Sequence, residues 1–139
     1  MLTQAERRFD VVALRKAIEQ ADAQRLTGFY AEDAQLRIID RNSQPSHPLI
    51  LRGKSAIANY WREVCTRQMT HRITQVVADA DHVALTEECE YRDGCRVYCV
   101  SMMALSDAQI KHQTNVQAWD ETSRDHINKD SIGGAAPHP

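Results

Sequence analysis

Long apolar runs are missing from this chain of 139 residues. The longest extend over only a few residues, far short of the roughly 20 that a membrane-spanning helix requires. A run of one charge is missing too: 17 Lys and Arg stand against 19 Asp and Glu, dispersed along the chain. With no basic stretch to neutralise phosphates, the composition argues against a nucleic-acid or anionic-membrane partner. The opening residues, Met1, Leu2, Thr3, Gln4, Ala5 and Glu6, lack the basic-then-apolar pattern of an export leader, so a cytoplasmic location is expected. Cys65, Cys89, Cys95 and Cys99 form no C-x-x-C pair and no dense disulfide framework, and are expected to be reduced and mostly buried. The six histidines show neither H-x-H nor H-E-x-x-H spacing, so no metal and no cofactor is expected. No internal repeat is present.

What is there fits one ordinary domain, 42% apolar and 26% charged, long enough to bury a core without cross-links. Thr3 and Glu6 have capping-box spacing. Behind them Val11, Leu14, Ala17, Ile18 and Ala21 recur every three or four residues, with Arg15, Lys16, Glu19 and Gln20 opposite, which predicts an amphipathic helix. Asp22 is a cap for a short second helix turning Leu26, Phe29 and Tyr30 inward. Residues 34–40 read as a strand and 41–48 as a loop. Gly53 then opens a third helix with Ala56, Ile57, Tyr60, Trp61 and Val64 on its apolar stripe, ending near Gln68. From residue 70 the period falls to two, predicting strands at 71–78, 82–92, 96–105 and 109–119, joined by tight turns of which Asp93-Gly94 is the strongest. Residues 1–121 are expected to form the domain and 122–139, polar with Gly133-Gly134, a disordered tail. Helices first and strands after imply α+β.

This order resembles the nuclear transport factor 2-like superfamily, which includes SnoaL-like polyketide cyclases and ketosteroid isomerase. The residues carrying the resemblance are Phe29-Tyr30-Ala31-Glu32-Asp33-Ala34, Leu51-Arg52-Gly53-Lys54-Ser55-Ala56-Ile57 and Gln117-Ala118-Trp119-Asp120, within residues 9–121. It implies a cone: a strongly curved antiparallel sheet wrapped by about three helices from the N-terminal half, with a pocket inside. So broad a fold does not define an activity. The isomerase pattern calls for an Asp base where this chain has Ile38, with Asp40 two residues later; for a Tyr where it has Leu14; and for a second Asp near Ser101. None of the three positions matches. The Arg-x-Asp unit of an epoxide hydrolase is absent from Arg96-Val97-Tyr98 as well.

Three residues are candidate acid–base groups. Glu87 interrupts the otherwise apolar face Val83, Leu85, Cys89 and Tyr91; it is either a functional carboxylate of raised pKa, or one that lies near the sheet edge or pairs with a neighbouring Arg such as Arg96. Asp40 is either a proton acceptor at the pocket mouth or the turn residue of the loop that follows. His71 has a side chain suited to proton transfer near neutrality, yet it begins a strand, where a structural role is commoner. The resemblance implies that Gln113, Asn115, Gln117 and Trp119 look into the cone, although a slip of one residue would reverse every side chain. Tyr30, Ile38, Tyr60, Trp61, Ser101 and Met103 complete the expected ligand-binding wall. The ligand expected is a small apolar or polycyclic molecule. Strand 96–105 is apolar on both faces, which suggests a homodimer through the outer face of the sheet.

Overall fold

The computed structural model describes residues 8–121. The Thr3/Glu6 capping box and the 122–139 tail lie outside them. Helix α1 spans Val11–Glu19, and its cap is Asp10, whose carboxylate accepts from the Ala13 amide at 2.9 Å. Asp22 caps α2, Ala23–Thr27, by accepting from the Arg25 amide. Tyr30 does not belong to that helix: it opens β1, Tyr30–Ile39, four residues earlier than the expected strand. Helix α3, Lys54–Cys65, starts as expected after Gly53 but stops three residues short of Gln68.

A strand unseen in the sequence, β2 at Leu49–Arg52, lies between the predicted loop and Gly53. Strands β3 (Met69–Ala78), β4 (His82–Tyr91), β5 (Arg96–Ser106) and β6 (Gln109–Trp119) follow. Together they make one curved, unclosed six-stranded sheet in the order β2-β1-β6-β5-β4-β3. Four of its five pairings are antiparallel; β1 runs parallel to β6, so the first and last strands sit side by side within the sheet. At Asp93-Gly94 the turn closes with Gly94 at φ 91° and the Asp93 carboxylate accepting from the Cys95 amide.

The cone is bent where strands gain a residue, because a bulge unpairs one residue and strengthens the local twist. In β3 the register against β4 shifts between Ile73 and Gln75. Helix α1 supplies what the backbone lacks there: Arg15 donates to the Ile73 carbonyl at 3.1 Å, and Glu19 accepts from the Ile73 amide at 2.9 Å. These two residues therefore reach the sheet from the edge of the face expected to be solvated. In β6 the register against β5 moves from Ile110 to His112. Strict alternation from buried Ile110 would have turned His112, Thr114 and Val116 inward; the extra residue turns Gln113 and Asn115 inward in their place.

The core lies between the concave face and the helices. Leu14 and Ala17 of α1, Leu26 of α2 and Ile57 of α3 meet Leu36, Ile38, Val83, Leu85 and Met103 of the sheet. Each large side chain so buried stabilises the fold by about 1.5–3 kcal/mol.

Gly53 sits at φ 90°, ψ 151°, a region essentially closed to side chains. Gly53→Ala is expected to lower stability by about 1–3 kcal/mol in urea denaturation, through the backbone alone, since an added Cβ would meet its nearest atom at 3.8 Å.

Candidate functional site

The β3–β4 register places His71 directly across from Cys89. Glu87 lies two residues before Cys89 on the same inward face, so three reactive side chains meet. His71 Nδ1 stands 2.7 Å from Glu87 Oε2, and the Cys89 thiol donates to that same oxygen at 3.1 Å. The His71 and Glu87 side chains are 8% and 13% exposed. His71 Nε2, its other ring nitrogen, is the one buried side-chain N or O among the described residues with no hydrogen-bond partner.

Burial opposes a charge on His71, but its hydrogen bonds to Cys89 and Glu87 and the negative charge of Glu87 outweigh this, and its pKa is pushed up to about 9. The imidazole is then protonated at neutral pH. Cys89, beside Cys99 and buried, has its pKa raised and stays a thiol. His71, Glu87 and Cys89 are the group among the described residues that could hold a metal ion. Ligand atoms around a tetrahedral zinc ion stand about 3.3–3.6 Å apart, wider than the 2.7 Å and 3.1 Å found here. Hydrogen bonding accounts for these contacts as they stand.

The cluster opens onto a cavity of about 50 Å³ inside the cone. That is room for about four waters. Leu85, Met103, Val64 and Ile18 give it an apolar wall. A chain of polar side chains runs along the rest. Trp61 Nε1 donates to Tyr30 Oη, and the Tyr30 hydroxyl to Gln113 Oε1. The amides of Gln113 and Asn115 both donate to Ser101 Oγ. Gln117 Nε2 donates to Asn115 Oδ1 at 2.8 Å and to Tyr60 Oη at 3.4 Å, while Trp119 Nε1 donates to Gln117 Oε1. Burial raises the pKa of both Tyr30 and Tyr60, so both remain phenols.

Of the expected residues, two lie elsewhere. Ile38 is 1% exposed in the core and does not reach the cavity. Asp40 is a turn residue: its carboxylate accepts from the Asn42 amide, and its backbone pairs with Ser43. Glu87 pairs with His71, not with Arg96, which pairs with Glu90. The sequence reading also missed residues. Cys89 shares the inward face of Glu87 and could have been found by alternation. Arg67 could not: it lies past α3, holds Glu63 through two hydrogen bonds, and donates to the Tyr91 hydroxyl at the cavity wall. Arg41 packs over Trp119, 4.1 Å from the ring centre.

The family model described as SnoaL-like domain matches residues 11–113. No curated protein matches the chain. Among solved structures it is similar to an NTF2-like protein of unknown function from Cytophaga hutchinsonii (12% identity, 77% of this chain and 95% of that one, TM-score 0.63). It is similar to an NTF-2 like protein of unknown function from Burkholderia xenovorans (15% identity, 81% and 80%, TM-score 0.65). It is also similar to the epoxide hydrolase/cyclase-like enzyme SalBIII of pyran ring formation in the polyether salinomycin (18% identity, 81% and 89%, TM-score 0.60). At such identities these likenesses show the fold alone. No helix among the described residues is long and apolar enough to cross a membrane.

A folded pKa of about 9 for His71, against an unfolded value of about 6.5, makes the pair a stabilising element at low pH. Its contribution is complete below about pH 6.5 and is lost as pH rises through 9. Urea-denaturation stability is expected to fall across that window by on the order of 3 kcal/mol at most, and Glu87→Gln to flatten the decline.

Proposed function

We propose that this chain, which belongs to the SnoaL-like domain family, binds a small, apolar, oxygen-bearing molecule in its cavity and moves a proton on it with His71. The observation that carries this reading is the unpartnered, buried Nε2 of a histidine whose Nδ1 is held by a carboxylate. Glu87 fixes the orientation of the ring and stabilises its protonated form; Nε2 is left to give a proton to a bound oxygen and, as neutral imidazole, to take one back. Cys89 steadies Glu87 as a thiol and is not the nucleophile. The apolar wall supports an apolar substrate body. Asp40, engaged in its turn, takes no part.

The same reading includes a homodimer through the outer sheet face. Tyr98, Val100 and Met102 of β5 are 43–55% exposed, and Val116 of β6 lies directly across from Val100. Ala84 and Thr86 of β4 extend this strip without a charge. A second copy presenting the same strip about a two-fold axis is a fitting partner, with Glu88, across from Tyr98 and paired with Arg72, at the strip's edge.

Exchange of the α-hydrogens of cyclohexanone for deuterium, followed by proton NMR, tests the proton transfer. The wild type is expected to accelerate it, and His71→Gln to lower the enzymatic rate at least about 100-fold. A wild-type chain that binds the ketone without exchange would be a binding module, and the catalytic reading would fall. For the dimer, a concentration series in analytical ultracentrifugation is expected to show two copies for the wild type and one for Met102→Glu; a wild-type monomer throughout excludes it.

A further inference from the structure

The hydrogen-bonding groups of the cavity wall limit what can occupy it. The indole hydrogens of Trp61 and Trp119 are both taken, by Tyr30 Oη and Gln117 Oε1. The Tyr30 hydroxyl is taken by Gln113, and the Gln117 amide by Asn115 and Tyr60. The side-chain carbonyl oxygens of Gln113, Asn115 and Gln117 each already accept a hydrogen bond. Two hydroxyls are used from one side only: Ser101 Oγ accepts from two amides and Tyr60 Oη from one, and neither hydroxyl hydrogen has an acceptor among the described residues. Ser101 is 2% exposed, behind the two amides that it joins. Tyr60, half-buried on α3, faces the cavity with its oxygen positioned by Gln117, which Asn115 and Trp119 hold in turn. The three carbonyl oxygens each keep a second lone pair, so the wall is not closed to donors; what it offers at a fixed position is the Tyr60 hydroxyl hydrogen.

The second limit is space. About 50 Å³, or room for about four waters, comes close to the bulk of one six-membered ring. Tyr60 and Trp61, edge to face at 4.9 Å, both line this space.

We infer that the occupant is a carbonyl compound of one ring or less, its oxygen held by the Tyr60 hydroxyl and its carbon skeleton lying against the apolar wall near Leu85 and Met103. This rests on the reading of the cavity as a small-molecule site and adds the substrate's size, its acceptor character and a second binding residue. Tyr60 comes from α3, whereas His71 comes from β3, so the two groups approach the ligand from different layers. The phenol, its pKa raised by burial, keeps the hydrogen it needs to donate throughout the neutral range.

Three neutral probes test the inference by NMR titration: cyclohexanone; methylenecyclohexane, its isostere without the oxygen; and 2-decalone, with a second ring. The wild type is expected to prefer cyclohexanone to methylenecyclohexane by about tenfold, the worth of one hydrogen bond, and to reject 2-decalone. Tyr60→Phe should abolish that preference while leaving the affinity for methylenecyclohexane unchanged. If Tyr60→Phe weakens both one-ring probes equally, Tyr60 is a packing residue and the assignment is overturned; tight binding of 2-decalone, or no binding of cyclohexanone, overturns it as well. Because these are binding measurements, they stand apart from the exchange assay. A Tyr60-dependent preference with no exchange activity would sink the proton transfer and leave this inference standing.

Discussion

The added residue in β6 between Ile110 and His112 is the constraint on which the interior depends. Side chains alternate strictly along a strand, so one extra residue exchanges the two faces beyond it. Ahead of the shift, Ile110 is buried in the common core; after it, Gln113 and Asn115 are buried in its place. The final strand thereby changes along its length from a packing element to the polar wall of a cavity. Burying two amides and a serine would be costly if any were unpaired. They are paired to one another and to Tyr30, and the network is closed by the parallel pairing of β1 with β6, which sets Leu36 beside Gln113.

The opposite end of the cavity obeys the same geometry with a different chemistry. Two adjacent strands, one-to-one in register, bring His71, Glu87 and Cys89 onto one inward patch. A carboxylate in that position needs a donor, and it has two on a single oxygen. The cluster is therefore an internally neutralised acid–base pair whose other ring nitrogen is buried without a hydrogen-bond partner. The cavity has an ion pair at one end, a hydrogen-bonded polar wall and an apolar wall between them.

The fold carries none of this by itself. Proteins of similar shape include ones of unknown function and a cyclase-like enzyme of polyether formation. What separates one occupant of such a cone from another is the set of inward side chains, and here that set comes from all three helices and from β1, β3, β4, β5 and β6.

Much of the architecture was legible in the residues. Period two marked β3 to β6, with β6 matched at both ends, and the Asp22 cap and the Asp93-Gly94 turn are local signals, complete within a few residues. Helix α1 was found but its cap was not, since Asp10 and Thr3 are both good caps and only Asp10 lies beside the first turn. Strand β2 escaped because four mostly exposed residues next to Pro48 show no alternation. Asp40 and Ile38 shared one strand face on paper, but the turn into Ser43 removed the first and close packing the second. The sequence by itself determined the element types, the α+β order and the acid on an apolar face, because those depend on neighbours in the chain. Only the tertiary structure decided that Glu87 meets His71, 16 residues away, and Tyr30 meets Gln113, 83 residues away. Such meetings depend on strand register and bulges, which pairing between distant segments sets.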